Sequence, residues 1–210
     1  MKLVTHTFLT LDGVMQAPGG AEEDRSGGFG CGGWLIPFSD AEMGEIAASW
    51  FARTEAILLG RNTYETMRAC WSRVTDPANG AAAKLNHGRK YVVSNTLTGA
   101  DWGDTTVLRG DVIAQVADLK HGGRGELQVH GSARLARALH AAGLIDEYRL
   151  LVYPVTVGAG KRLFTETAPP RGYTLLESRT TRAGAVYQVL VPKAFETGGR
   201  TVRDGRKAAR

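Results

Sequence analysis

Ile57-Leu58-Leu59-Gly60-Arg61-Asn62-Thr63-Tyr64-Glu65 is a strand that stops and a helix that starts. Ala56 to Leu59 is a short apolar run, the pattern of a strand buried on both faces. Gly60 permits a sharp turn with the backbone close to whatever lies above it. Asn62 or Thr63 supplies a capping side chain, and Tyr64, Met67 and Trp71 continue at helical spacing. The helix N-terminus then points into a crevice at the carboxyl edge of a sheet. Its free N–H groups and partial positive charge suit a phosphate. Arg61 beside it has the forked geometry that grips phosphate oxygens. The competing reading is an ordinary strand–helix junction with a solvated arginine.

Working outward, two further strands end in the same chemistry. Tyr91-Val92-Val93 runs into Ser94-Asn95-Thr96, and Leu127-Gln128-Val129-His130 runs into Gly131-Ser132. Ser132 is placed to cap a helix carrying Leu135, Ala138 and Leu139, which Gly143 closes. His130 has two readings: a catalytic base, or a partly buried structural histidine. Three small polar turns at one sheet edge suit an extended ligand with several phosphates.

The remaining elements complete a βα alternation. Leu3 to Leu11 reads as a first strand ending at the turn Asp12-Gly13. A Gly-rich loop follows to Gly33. Its GxGxxG match at Gly28, Gly30 and Gly33 has no preceding strand, so it is not a dinucleotide fingerprint. The loop reads as a mobile lid or as a plain linker. Ser39 or Asp40 caps a helix to about Arg53, residues 73–89 read as a polar loop, and Thr105–Leu108 leads into a helix from Val112 to Lys120. Ile145–Val155 reads as a long strand. Gly158-Ala159-Gly160-Lys161 is not a P-loop, because Val155 and Arg162 stand where glycine and a hydroxyl are required. Tyr173–Thr181 and Ala185–Val191 form a closing hairpin. This predicts a mainly parallel sheet with helices on both faces and an antiparallel edge.

The chain has 210 residues, enough for one sizeable core. No apolar run approaches the ~18 residues of a membrane helix, and no signal-peptide layout is seen, so the expected compartment is the cytoplasm, with no membrane partner. Cys31 and Cys70 have no CxxC spacing and no nearby histidines, so no metal site is expected. The formal net charge is +5. Lys193, Arg200, Arg203, Arg206, Lys207 and Arg210 against Glu196 and Asp204 put +4 in residues 193–210, leaving +1 for residues 1–192. Residues 1–192 therefore read as the folded domain, and residues 193–210 as a basic, disordered tail. A nucleic-acid partner is not expected.

Thr10-Leu11-Asp12-Gly13, Leu59-Gly60-Arg61-Asn62-Thr63-Tyr64-Glu65, Val92-Val93-Ser94 and Val129-His130-Gly131-Ser132, in that order, resemble the dihydrofolate reductase-like superfamily. The branch they resemble is the reductase domain of the bacterial bifunctional riboflavin-biosynthesis deaminase–reductase. Leu144-Ile145-Asp146-Glu147 and the run from Pro154 to Phe164 resemble it too. The resemblance implies a three-layer α/β/α fold with a mixed sheet of about eight strands and a C-terminal antiparallel hairpin. It implies NADPH as cofactor, a small-molecule substrate and a homodimer, paired through the strand around Glu147–Val155 or the closing hairpin.

By the same resemblance, Gly60, Arg61, Asn62 and Thr63 bind the 2′-phosphate and pyrophosphate side, with Ser94 and Asn95. Gly131, Ser132 and Ala133 pack on the pyrophosphate. Gly13, Val14 and Met15 flank the nicotinamide, beside Asp12. Dihydrofolate reductases carry an acid early in the helix before the Gly-Arg turn. That place falls near Gly44 here, with Glu45 adjacent. Asp12 and Glu45 are thus the candidate catalytic residues. The expected function is an NADPH-dependent reductase of a small heterocycle, pterin-like or similar to a uracil-type riboflavin precursor. The alternative is a non-catalytic nucleotide-binding or regulatory protein that keeps the fold.

Overall fold

The computed structural model describes residues 1–203 and 206–209, with side chains described through Gly199. Its main sheet has eight strands: β1 (Lys2–Thr10), β2 (Thr54–Gly60), β3 (Arg89–Val93), β4 (Thr105–Leu108), β5 (Glu126–His130), β6 (Glu147–Tyr153), β7 (Gly172–Thr180) and β8 (Val186–Lys193). The order across the sheet is β4-β3-β2-β5-β1-β6-β8-β7. The first six strands in that row are parallel, whereas β8 runs antiparallel to β6 and to β7.

Successive residues of a strand face opposite ways, so β2 serves two cores. Leu58 joins Leu3, Leu127, Val129, Leu135 and Leu139 on one face. That face is covered by α4 (Val112–Gly122) and α5 (Ala133–Ala141). Ile57 and Leu59 join Phe51, Tyr64, Leu85 and Val92 on the other, under α1 (Ala41–Ala52), α2 (Arg61–Trp71) and α3 (Gly80–His87). The result is the three-layer α/β/α architecture with an antiparallel edge that the sequence predicts.

Several expectations change here. Residues 73–89 are not all loop: Asn79 caps α3 by accepting from the Ala82 N–H, and Ala82 and Leu85 bury one face of it. The strand around Glu147–Val155 is not an edge open to a partner, because β6 is hydrogen-bonded to β1 on one side and β8 on the other. The Gly-rich segment is tied down in part. Trp34 Nε1 donates to Gln16 O at 2.8 Å, and Lys161 Nζ reaches Asp24 at 2.6 Å. Lys193, counted with the tail in the sequence, ends β8. Further on, β9 (Arg200–Arg203) pairs with β10 (Arg206–Ala209) in a separate antiparallel ribbon. Asp204, Gly205 and Arg210 lie outside the described residues. No helix among the described residues is long and apolar enough to cross a membrane.

Candidate active site

Parallel strands bring their carboxyl ends to one edge, and the predicted residues gather there in two groups. β2 and β5 are neighbours, so the turns that follow them touch. Gly60 N donates to Ser132 Oγ at 2.9 Å. A Cβ on Gly131 would stand 3.2 Å from the Thr63 Cγ2 methyl, and one on Gly60 would stand 3.4 Å from Ser132 Oγ. Gly131 needs glycine for that close approach and for its φ of 56°, whereas Gly60 has an ordinary backbone conformation with room for a Cβ.

The helix starts differ from the sequence reading. Gly60 occupies the N-cap position of α2, and neither Asn62 nor Thr63 caps it, because both are already inside the first turn. Ser132 stands at the N-cap of α5 in a left-handed conformation, φ 60° and ψ 58°. That turns its hydroxyl towards Gly60 and away from its own helix. With no side-chain cap on either helix, the first-turn N–H groups of α2 and α5, Ala133 among them, keep their capacity to bind an anion.

Arg61 leans the other way, towards the loop after β3. Its Nε pairs with Glu65 at 2.8 Å and its Nη1 donates to Thr96 Oγ1 at 2.7 Å. Its Nη2 has no protein partner among the described residues. Ser94 Oγ accepts from Thr96 N and Leu97 N, and Asn95 Oδ1 accepts from Gly110 N, so both side chains shape the loop that meets Arg61. Arg109, which the sequence reading left out, holds the same loop through Ser94 O. Residues Gly60 to Thr63, Ser94, Asn95 and Gly131 to Ala133 are thus one cluster, and their donor set fits a dinucleotide phosphate.

The second group lies at the end of β1. Asp12 accepts from Thr10 Oγ1 at 2.6 Å and from Gly158 N at 2.8 Å, with Arg162 also close. The Thr10 hydroxyl leads the contacts that hold its carboxyl below the ordinary range. So engaged, Asp12 pins the 157–162 turn to the end of β1. Gly13 follows it, and Val14 and Met15 are buried on opposite sides of the sheet edge. Glu45 is not in either group. It is exposed on α1, without an ion pair among the described residues. The acid at the start of that helix is Asp40, whose carboxylate accepts from Met43 N and Ala183 N.

His130 is buried, with 9% of its surface exposed: it stacks on Phe51 at 5.0 Å, and burial pushes its pKa down to about 4. A neutral, enclosed imidazole is a structural group. It belongs to a polar network invisible in the sequence. Arg149, 2% exposed, contacts Glu126, Glu147 and His6, and Gln128 donates to Trp50 O. No cluster of three or more metal-ligating groups occurs among the described residues.

This sheet order and edge define a dihydrofolate reductase-like α/β protein. The chain belongs to the RibD C-terminal domain family, which matches residues 1–187. It is 26% identical over 187 residues to the uncharacterized protein YyaP of Bacillus subtilis (strain 168), covering 88% of this chain and 92% of that one. A solved structure from Shewanella sp. PV-4, named for riboflavin biosynthesis, is similar with a TM-score of 0.69 and 21% identity, over 92% of this chain and 99% of that one. A dihydrofolate reductase from Enterococcus faecalis, complexed with NADP(H), shares the fold with a TM-score of 0.58 and 11% identity, over 91% and 96%. Family membership supports an oxidoreductase.

Proposed function

We propose that the chain is an NADPH-dependent reductase of a small, flat heterocycle. The observation that carries this reading is the joined pair of uncapped helix starts, Gly60–Ser132, with Arg61 beside it. The backbone N–H groups of α2 and α5 hold the pyrophosphate, and Arg61 Nη2 takes the 2′-phosphate. A reduced nicotinamide supplies hydride when bound. Val14 supplies apolar wall beside it, and Asp12 fixes the turn that carries Val14. The same reading includes a homodimer through β7, one of the two edge strands of the sheet.

Titration with NADPH and NADH tests the cofactor. Oxidation of NADPH, followed at its absorbance band against pterins, flavins and uracil precursors, tests turnover. One observation favours a second reading, a nucleotide-binding regulator: Asp12 is saturated by protein donors and Glu45 lies away from the edge. NADPH binding without oxidation across the panel would select it.

A further inference from the structure

Three buried side-chain atoms lack a hydrogen-bond partner among the described residues: the hydroxyls of Tyr153 and Tyr173, and Arg171 Nε. Tyr153 differs from the other two by its place. It is the last residue of β6, in register with Thr10 of β1, and Leu11 N then bonds to Val155 O. That puts it next to the Asp12-Gly13 turn, at the edge where parallel sheets bind ligands. It is 0% exposed. Its ring is walled by Phe8 at 6.2 Å, Trp34 at 5.6 Å and Phe38 at 6.1 Å, and Val14 shares the same cluster.

A phenylalanine would fill this place without an orphaned hydroxyl, whose desolvation carries a penalty. Aromatic walls around a single convergent polar group are the composition of a site for a flat ring with polar edges. We propose that Tyr153 is a specificity-determining residue, whose hydroxyl hydrogen-bonds a ring carbonyl or ring nitrogen of a flat heterocycle stacked against Trp34 and Phe38. The proposal rests on the reductase reading and names what selects its substrate.

Among the aromatic rings around Tyr153, Phe38 is less buried than Trp34. Phe38 is half-buried and ends a one-turn 3-10 segment, Ile36–Phe38, in which Ile36 and Pro37 are exposed. The outward swing of Phe38 admits the ring, and Trp34, held by Gln16 O, stays as the fixed wall. Burial, then the nearby Asp40 carboxylate, raises the pKa of the phenol, so it stays protonated at neutral pH and donates.

The test is Tyr153→Phe, with lumazine as the heterocycle probe and quenching of tryptophan emission as the readout. Trp34→Phe identifies the emitter. Wild type binds lumazine with quenching that Trp34→Phe removes. Tyr153→Phe weakens binding roughly tenfold. Its thermal midpoint is no lower than that of wild type, because no intramolecular bond is lost. Equal affinity in the two proteins overturns the proposal. So does a wild type that fails to bind lumazine, or a midpoint that falls by several degrees in Tyr153→Phe. Lumazine is titrated alone, so the result stands apart from the NADPH titration on which the reductase reading depends.

Discussion

Arg61 is held in place by Glu65 and Thr96 but keeps one nitrogen of its fork without a protein partner. A charge-assisted hydrogen bond contributes about 1.5–3 kcal/mol, so Arg61→Ala should weaken NADPH binding roughly ten- to a hundredfold and barely change NADH. Arg61→Lys recovers only part, since the ammonium keeps the charge and loses the fork. Equal weakening of both nucleotides in a fluorescence titration would make Arg61 a residue that shapes the turn. Asp12 makes a different prediction. Its carboxylate holds two strand-end turns together, so Asp12→Ala should lower stability by about 1–3 kcal/mol in urea unfolding. Unchanged stability with lost turnover would return it to the catalytic role the sequence first gave it.

Among the elements, β5 buries charge and polar groups that a strand of this kind must satisfy. All five of its residues are buried, Glu126, Gln128 and His130 among them. Glu126 is tolerated because Arg149 of β6 forks onto it at 2.9 and 2.6 Å while its Nε serves Glu147 at 2.7 Å. Arg149→Met leaves Glu147 its Lys2 partner at 2.6 Å but Glu126 only the more distant cation of Arg53 at 3.9 Å, which should cost about 3–5 kcal/mol. A loss under about 1 kcal/mol would mean that the carboxylates find water or take up protons instead. Three buried histidines, His6, His130 and His140, set a pH dependence. Burial lowers the pKa of all three, with the charge of Arg149 adding to it at His6, so the unfolded chain protonates first. Stability is therefore complete above the ordinary histidine pKa of 6.5 and falls as pH drops from there towards about 4. Thermal midpoints measured from pH 7.5 to 4.5 should show this decline, and His130→Gln should flatten it. A midpoint level across that range would contradict the buried, neutral histidines.

At the scale of the whole molecule, the sheet closes on one side with β4 and on the other with β7. β7 is nine residues long, and Leu175 and Leu176 on it are 52% and 60% exposed. A long free edge with exposed leucines invites pairing with a second copy. Light scattering at micromolar concentration should give a dimer mass, and Leu176→Glu should give a monomer. A monomeric wild type would rule the pairing out.

The sequence by itself determined the alternation of strands and helices, the closing hairpin and the sheet edge where the small polar turns gather. Each of those rests on local chemistry: a short apolar run bounded by turn residues, and a glycine that lets one turn approach another. Gly60-Arg61 and Gly131-Ser132 were legible for that reason. Only the tertiary structure decided what fills the space under α1. Polar residues of β1, β5 and β6 meet there from distant parts of the chain, so Glu126, Arg149 and His6 find partners that no spacing announces. Tyr153 was hidden for the same reason. In a strand buried on both faces the pattern has no polar side to read, and an unpaired hydroxyl is defined only by the neighbours that fail to bond it. Glu45 shows the converse. Counting back along the chain gave its position in the helix, but which way a helix turns its residues is set by the face it buries. Ile46 and Trp50 of α1 take that face, and Glu45 is left in solvent.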